Sequence, residues 1–275
     1  MSKSFIDDAP SLFVQTGHDK SQLFGLNTAR DIRHFVLRGT GGCGLMSDRD
    51  AQGMRNLELA LTGRGASGRR SKKLPRFAGL CLFGGTRMIR KDNPKVIVPG
   101  VTEVYPALNK YCDKTATLGV IAKVGHLRHT KHGIVIADEP KAEYCTIVHP
   151  MQTSTVIVQP SADSQASWDD EFKECVRIVH PLIQMNWGAL LVAYNGGGVT
   201  EKEIRTWAIH GKRDPRWNVL IVNGSGRKAD ELANDESFLA EHPTVHVCEN
   251  NLESMREKLL ELRALVYPEP SGESK

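Results

Sequence analysis

The sequence predicts a three-layer α/β fold built on a mainly parallel central sheet. From Ala78 onward, short apolar runs rich in β-branched residues alternate with longer segments of helical period. This alternation is typical of βα units, in which a helix joins two parallel strands. The composition supports a packed domain, since 40% of the 275 residues are hydrophobic and 25% are charged.

Each predicted element corresponds to one of these segments. The predicted strands are Gly79 to Phe83, Leu118 to Lys123, Ile134 to Ala137, Thr155 to Val158, Ala189 to Tyr194, Asn218 to Val222 and Val245 to Cys248. The predicted helices are Thr102 to Tyr111, Asp169 to Gln184, Thr200 to Ile209, Lys228 to Ala233 and Leu252 to Val266. The acidic run Asp169-Asp170-Glu171 marks a helix start, because negative charge interacts favourably with that end of the helix dipole.

The pattern divides the chain into three parts. Residues 1–73 are interpreted as an irregular N-terminal extension, residues 74–267 as the α/β domain, and residues 268–275 as a disordered tail. Within the extension, Ala51 to Leu61 has helical spacing. The stretch Thr62 to Arg76 is rich in glycine and basic residues and is expected to form a mobile surface loop.

Charge and cysteine usage narrow the compartment and the partners. The net charge of +4 is too small to predict long-range attraction to nucleic acid or membrane. The six cysteines are scattered without a C-x-x-C pair and are expected to be buried free thiols. The N-terminus MSKSFIDDAP lacks the apolar region of a secretory signal, and no run approaches the roughly 20 apolar residues of a membrane span. These features predict a cytoplasmic protein.

Three glycine turns between a strand and a helix carry the functional prediction. In open α/β sheets, ligands bind beyond the carboxyl ends of the strands, where helix N-termini offer free N–H groups to anions. The first turn is Gly196-Gly197-Gly198-Val199-Thr200, in which Thr200 caps a helix or donates to a phosphate. Glu203 is expected in the first turn of that helix, facing the same crevice. The alternative is an unliganded turn with a capping-box-like Thr200 and Glu203.

The second turn follows the strand NVLIV. It contains Gly224, Ser225 and Gly226, whose N–H groups suit an anion, and Arg227, whose planar fork suits a diphosphate. The alternative is a surface ion pair of Arg227 with Asp230 or Glu231.

The third turn is Gly84-Gly85-Thr86-Arg87, and Thr102 and Glu103 open the helix after it. Thr86 and Arg87 are predicted to contact phosphate, and Thr102 and Glu103 a ribose hydroxyl. The alternative is a strand-ending turn with an arginine in solvent.

A fourth glycine run, Gly39 to Gly44, matches G-x-G-x-x-G but is discounted as a dinucleotide fingerprint, and a loop near the ligand is kept as the alternative, ranked below the other three turns. Only the short apolar run HFVL precedes it, and a long polar stretch follows it.

Other chemistries find less support. His126, His129 and His132 lack accompanying carboxylates or thiolates, so a basic connecting loop is favoured over zinc and no metal site is predicted. No G-x-S-x-G, H-E-x-x-H or P-loop motif occurs. The basic loop from Arg64 to Arg76 lacks interleaved aromatic residues, which argues against a nucleic-acid scaffold.

The order FGGTR, PGVTEVYP, NGGGVTEKE and VNGSGRKADELA resembles the prokaryotic, TRPM-type members of the SLOG superfamily over Leu74 to Val266. That superfamily also includes lonely-guy phosphoribohydrolases, Smf/DprA proteins and the N-terminal domain of melastatin-type TRP channels. The resemblance implies a Rossmann-like domain that binds nucleotides or ADP-ribose derivatives, often as a sensor in prokaryotic defence. Gly196, Gly197, Thr200 and Glu203 fall on positions of the G-G-x-G-T-x-x-E motif of the lonely-guy enzymes, whose glutamate assists N-glycosidic cleavage. Val199 replaces a glycine of that motif, and Asn195 stands where a proline precedes it.

Two hypotheses follow. The preferred one is a nucleotide sensor that binds an ADP-ribose-like or other nucleotide signal and needs no further cofactor. It is expected to form a homo-oligomer and to act on a separate effector protein. The alternative is a nucleoside 5′-monophosphate N-glycosidase in which Glu203 stabilises the oxocarbenium ion or positions water.

Overall fold

The structure is a computed structural model. It describes residues 11–14, 35–41, 48–70, 77, 79–98, 100–105, 107–112, 115–122, 128–130, 133–137, 143–158 and 166–266. The predicted tail 268–275 lies outside these residues, as does much of the segment before residue 48.

Helices and strands account for most of the described chain. The strands are β1 (Ser11–Val14), β2 (Phe35–Gly41), β3 (Gly79–Phe83), β4 (Thr86–Arg90), β5 (Thr115–Ala122), β6 (Arg128–Thr130), β7 (Gly133–Ala137), β8 (Tyr144–Val148), β9 (Ser154–Val158), β10 (Gly188–Tyr194), β11 (Trp217–Asn223) and β12 (Val245–Glu249). The helices are α1 (Asp48–Thr62), α2 (Ala107–Tyr111), α3 (Trp168–Gln184), α4 (Gly198–Arg213), α5 (Arg227–Ala233), α6 (Glu236–Glu241) and α7 (Leu252–Val266). A 3-10 turn at Val101–Glu103 precedes α2.

The central sheet confirms the predicted fold class. Its order is β1-β9-β5-β3-β2-β10-β11-β12, and every neighbouring pair is parallel except β1 with β9. Successive strand residues point to opposite faces. In β10, Ala189 and Leu191 pack among residues of α3 to α6, whereas Leu190 and Val192 pack among residues of α1, α2 and α7. Helices therefore cover both faces, which gives the three layers of a Rossmann-like fold.

The chain reverses its direction of travel across this sheet between β2 and β10. From β2 it proceeds outward through β3, β5 and β9, and α3 then carries it back to β10 on the other side of β2. From β10 it continues outward through β11 and β12. The connections after β2 and β10 therefore diverge and leave a crevice beyond the carboxyl ends of these two strands.

The segment assigned to the N-terminal extension contributes a central part of this sheet. Strand β2 pairs with β3 on one side and with β10 on the other, and α1 packs against the second core face. A boundary at residue 73 would cut through the sheet. The prediction was misled by Arg38, since a charge in the middle of FVLRGTG interrupts the apolar run that marks a buried strand.

A second, antiparallel sheet interrupts the βα alternation between β3 and β9. Its order is β4-β8-β7-β6, and the predicted strand Ile134 to Ala137 belongs to it as part of β7. The assignment of that segment to the parallel sheet was wrong, because its short partners lie next to it in sequence and pair as antiparallel neighbours.

Candidate functional site

A cavity of about 310 Å³ lies at the crevice between β2 and β10. Its walls come from the end of β2, the turn after β3, the 3-10 turn before α2, the first turn of α3 and the first two turns of α4. This is the position at which doubly wound sheets bind ligands, and the volume is at the lower end of the range for small-molecule pockets, about 300–1,000 Å³.

Three buried charges form the floor of the cavity. Arg38 points from β2 towards the α3–α4 layer. It lies two residues after Val36, which packs on that face, and residues two apart in a strand point to the same side. Its Nη2 atom donates to Glu171 Oε1 of α3 at 3.2 Å and to Glu203 Oε1 of α4 at 3.1 Å. The exposed fractions of the three residues are 2%, 4% and 4%. One guanidinium therefore joins two carboxylates from different helices beneath the crevice.

Several polar atoms of this floor have no hydrogen-bond partner within the described structure. They are Arg38 Nε, Arg38 Nη1, Glu171 Oε2 and the hydroxyl of Tyr105, and all three residues line the cavity. Leaving a buried donor or acceptor unpaired costs about 1–3 kcal/mol, more when the group is charged. These atoms are shielded from solvent and belong to residues that line the cavity, so a polar ligand that reached them would complete their pairing.

Burial changes the protonation of two of these groups. It raises the pKa of Glu171 from 4.5 to about 7, although Arg38 acts in the opposite direction. A substantial fraction of Glu171 is consequently protonated at neutral pH, so that this carboxyl can donate as well as accept. Burial also raises the pKa of the Tyr105 phenol well above its ordinary value, which keeps it a neutral donor.

The first predicted turn forms a wall of the cavity. Gly197 is the N-cap of α4 and provides no side-chain cap, so the first N–H groups of the helix remain available to an anion. A Cβ on Gly198 would meet nothing within 4 Å. Gly196 has a φ of +92°, and a Cβ there would stand 2.2 Å from Thr200 Oγ1. The turn therefore needs glycine at 196 for conformation and leaves an open space at 198.

The third predicted turn is divided between the cavity and a structural contact. Gly84 and Thr86 line the cavity, but Arg87 forms a bidentate ion pair with Glu103, with Nε–Oε1 at 2.9 Å and Nη2–Oε2 at 2.7 Å. His149 Nε2 lies 3.4 Å from the same Glu103 Oε2 and its Nδ1 accepts from a backbone N–H. Burial of Glu103 opposes its ionisation, but His149 and Arg87 outweigh this and lower its pKa. Arg87 and Glu103 therefore hold the 3-10 turn against β4, with Thr102 beside the cavity.

The second predicted turn braces the first. Ser225 is buried. Its hydroxyl donates to Val222 O at 2.6 Å and accepts from Asn195 N at 2.8 Å. Arg227 is exposed, and its Nη2 atom lies 2.8 Å from the place that a Cβ on Gly197 would occupy. Residues 224–227 are not among the described residues that line the cavity.

The predicted site residues thus fall into two groups. Those that line the cavity are Gly84, Thr86, Thr102, Gly197, Gly198, Thr200 and Glu203. Those that lie beside it or behind its wall are Gly85, Arg87, Glu103, Gly196, Gly224, Ser225, Gly226 and Arg227.

The described part of the discounted glycine run, residues 39–41, ends the central strand β2 and lines the cavity. A Cβ on Gly39 would lie 2.0 Å from the Tyr105 ring, and one on Gly41 would lie 2.3 Å from Tyr194 O. These glycines let the 3-10 turn segment and β10 approach β2 closely. Sequence reasoning also missed Arg38 and Glu171, although a charge inside a strand and a glutamate one turn after Trp168 at a helix start were visible signals.

The described residues include no group of three or more His, Cys, Asp or Glu side chains placed to hold a metal ion. His126 and His132 lie outside the described residues, and His129 lies in β6. Cys81, Cys112, Cys175 and Cys248 are buried free thiols, and Cys145 is a half-buried one. In the described part of the chain, no helix has both the length and the apolar character needed to cross a membrane.

The fold and the site define a doubly wound, Rossmann-like α/β protein with a charged cavity at the point where its strand order reverses. Neither a protein-family model nor a curated protein sequence matches the chain.

Proposed function

We propose that the protein binds a nucleotide-type ligand in the cavity between β2 and β10, as a sensor or binding module. The observation that carries this proposal is the set of buried, unpartnered polar atoms on Arg38, Glu171 and Tyr105 at the floor of a cavity at the strand-order reversal. Burying such groups is costly unless a ligand completes their hydrogen bonds. The chemistry of the site, and not the fold alone, supports this function.

The start of α4 is the proposed phosphate site. Its N–H groups are not capped by a side chain, Gly198 is exposed, and the positive end of the helix dipole favours an anion. The floor cannot serve this purpose equally well, because Glu171 and Glu203 would repel a phosphate at close range. The ligand is therefore oriented with its phosphate at α4 and a neutral polar group at the floor.

Calorimetry with ADP-ribose, NAD, cyclic nucleotides and nucleoside monophosphates tests the proposal. The variant pair Gly198→Asp and Gly198→Asn separates charge from shape, because the two side chains are nearly isosteric and a Cβ at this position meets nothing within 4 Å. Gly198→Asp is expected to weaken binding by at least about tenfold relative to Gly198→Asn while leaving the fold intact, since an acid at a helix start is stabilising. Absence of binding by the whole panel at millimolar concentration would refute the proposal.

The carboxyl pair favours a second candidate, hydrolysis of an N-glycosidic bond. Glu203 is placed to stabilise an oxocarbenium ion or to orient water, and Glu171, with its pKa raised to about 7, can supply a proton to the leaving base. Water adds to C1′ as the C1′–N bond breaks, and free base and ribose 5-phosphate result. Chromatography after incubation with nucleoside monophosphates would detect both products, and Glu203→Gln is expected to abolish them. Measurable binding with the substrate left intact would exclude the glycosidase activity and leave only the binding role.

A further inference from the structure

The opening of the cavity is apolar, in contrast to its charged floor. Trp168, the first residue of α3, and Val199, near the start of α4, both line the cavity and are 50% and 44% exposed. A large exposed aromatic side chain at the edge of a ligand-sized cavity has one face available for stacking.

Helical spacing places each of these side chains one turn above a floor carboxyl. Trp168 precedes Glu171 by three residues, and Val199 precedes Glu203 by four, so each pair lies on one face of its helix. Both helices point their first turns towards the crevice. The cavity consequently changes from apolar at its opening to ionic at its floor over about one helical turn, roughly 5 Å.

The other aromatic rings of the described lining are already engaged. Phe83 is fully buried, and its ring lies 6.3 Å from that of Tyr105 and 6.1 Å from that of His149. The Tyr105 ring packs on Gly39. Trp168 is therefore the described lining ring with surface free for a planar group.

The floor, in turn, matches sugar hydroxyls. Arg38 Nε, Arg38 Nη1 and the Tyr105 hydroxyl offer donors, and Glu171 Oε2 offers an acceptor. A hydroxyl both donates and accepts, so a vicinal diol pairs with such a mixed set. A phosphate pairs with donors only and would meet two carboxyl groups.

We propose that the cavity holds one nucleoside unit of a phosphorylated ligand, with its aromatic base stacked on Trp168 and its ribose hydroxyls on the floor formed by Arg38, Glu171 and Glu203. This inference rests on the proposed function and specifies the ligand class of the same site. The volume of about 310 Å³ suits a single nucleoside unit, so any second one lies outside the cavity.

Intrinsic fluorescence provides a direct test, because Trp168 is the one exposed tryptophan of the four in the chain. The other three, Trp187, Trp207 and Trp217, are at most 4% exposed. Adenosine, guanosine, cytidine and uridine 5′-monophosphates are titrated into the full chain and compared with ribose 5-phosphate, which carries no base. Calorimetry on the same samples reports binding independently of the fluorescence.

The expected result is quenching by at least one nucleotide and none by ribose 5-phosphate, although both bind. Trp168→Leu should abolish the quenching and weaken the binding of that nucleotide about 5- to 100-fold, the range expected for loss of one base–aromatic stack. The affinity for ribose 5-phosphate should not change. The 2′-deoxy analogue of the quenching nucleotide should bind the unaltered chain at least about tenfold more weakly, because the polar groups of the floor lose the 2′-hydroxyl as a hydrogen-bond partner. Met185→Leu, at the exposed far end of α3, is the control and should match the unaltered chain.

The failures of the two proposals are distinguishable. Nucleotide binding without quenching, and with equal affinity in Trp168→Leu, would overturn the stacking inference and leave the proposed function standing. Equal affinity for the 2′-deoxy analogue would overturn the placement of the ribose at the floor. Absence of binding by every compound would refute both proposals together.

Discussion

Glu171→Gln is expected to make the stability of the fold less sensitive to rising pH. Burial raises the pKa of Glu171 from 4.5 to about 7 in the folded state. A carboxyl whose folded-state pKa is raised contributes stability that is fully present below its unfolded pKa and is lost as the pH rises through the folded value. Ionising Glu171 in its buried position therefore destabilises the fold between about pH 4.5 and pH 7, and glutamine, which cannot ionise, avoids this loss.

The pKa difference sets the magnitude. At about 1.4 kcal/mol per pK unit, the full contribution is about 3 kcal/mol, and about 2–3 kcal/mol of it falls between pH 5 and pH 8. The free energy of unfolding of Glu171→Gln minus that of the unaltered chain should thus be about 2–3 kcal/mol larger at pH 8 than at pH 5, which means that the variant is relatively more stable at pH 8.

Urea unfolding followed by circular dichroism at the two pH values measures this difference. Asp169→Asn removes a carboxylate from the same helix at a position where the side chain is 43% exposed and paired with Lys202, and it serves as a control. Its effect should stay within about 1 kcal/mol, the usual limit for an exposed pair. If the free energy of unfolding of Glu171→Gln minus that of the unaltered chain is the same at both pH values, or is smaller at pH 8, Glu171 is not a carboxyl held partly protonated by burial.

Three further substitutions test the architecture of the site. Arg38→Met should destabilise the fold by about 3–5 kcal/mol in urea unfolding near neutral pH, because it leaves two buried carboxyl groups without their cation, and adding Glu203→Gln should recover part of the loss; no recovery would contradict this reasoning. Gly85→Ala should lower the free energy of unfolding by more than about 1 kcal/mol, because φ is +61° and a Cβ would stand 2.7 Å from Gly119 Cα, so an unchanged melting temperature would argue against this turn geometry. Ser225→Ala should cost about 1–3 kcal/mol in thermal or urea unfolding, since the buried hydroxyl accepts from the N–H of Asn195 in the turn after β10 and donates to Val222 O, and a neutral effect would show that these bonds are dispensable.

Regular βα units were predicted most accurately. The predicted limits of β3 and α7 coincide with the structure, and those of β10 and β11 differ by one residue at their ends. Long apolar runs followed by glycine turns specify such elements locally. The antiparallel sheet was not anticipated as a separate unit, because its strands are only three to five residues long and β4 pairs with β8, a strand far from it in sequence.

The candidate site was predicted in part, for a related reason. Glu203, Gly197 and Gly198 line the cavity, and their position between an apolar strand and a helix could be predicted from the sequence. Arg87 and Arg227 were selected because arginine suits phosphate, but Arg87 is bound to Glu103. A side chain's chemistry is readable from one residue, whereas its partner is decided by packing.

The sequence by itself determined the α/β class and the strand-to-helix turns, and it placed Glu203 near the start of a helix, since these follow from hydrophobic period and local backbone preference. The structure begins α4 at Gly198, so Glu203 lies in the second turn of the helix and not, as predicted, in the first. The tertiary structure decided which turns share a cavity and brought Arg38, Glu171 and Glu203 together. Those three residues are separated by as many as 165 positions along the chain and meet only because strand order places β2 beside β10 and α3 beside α4. Strand order depends on the packing of the whole sheet, and no local pattern of residues encodes it.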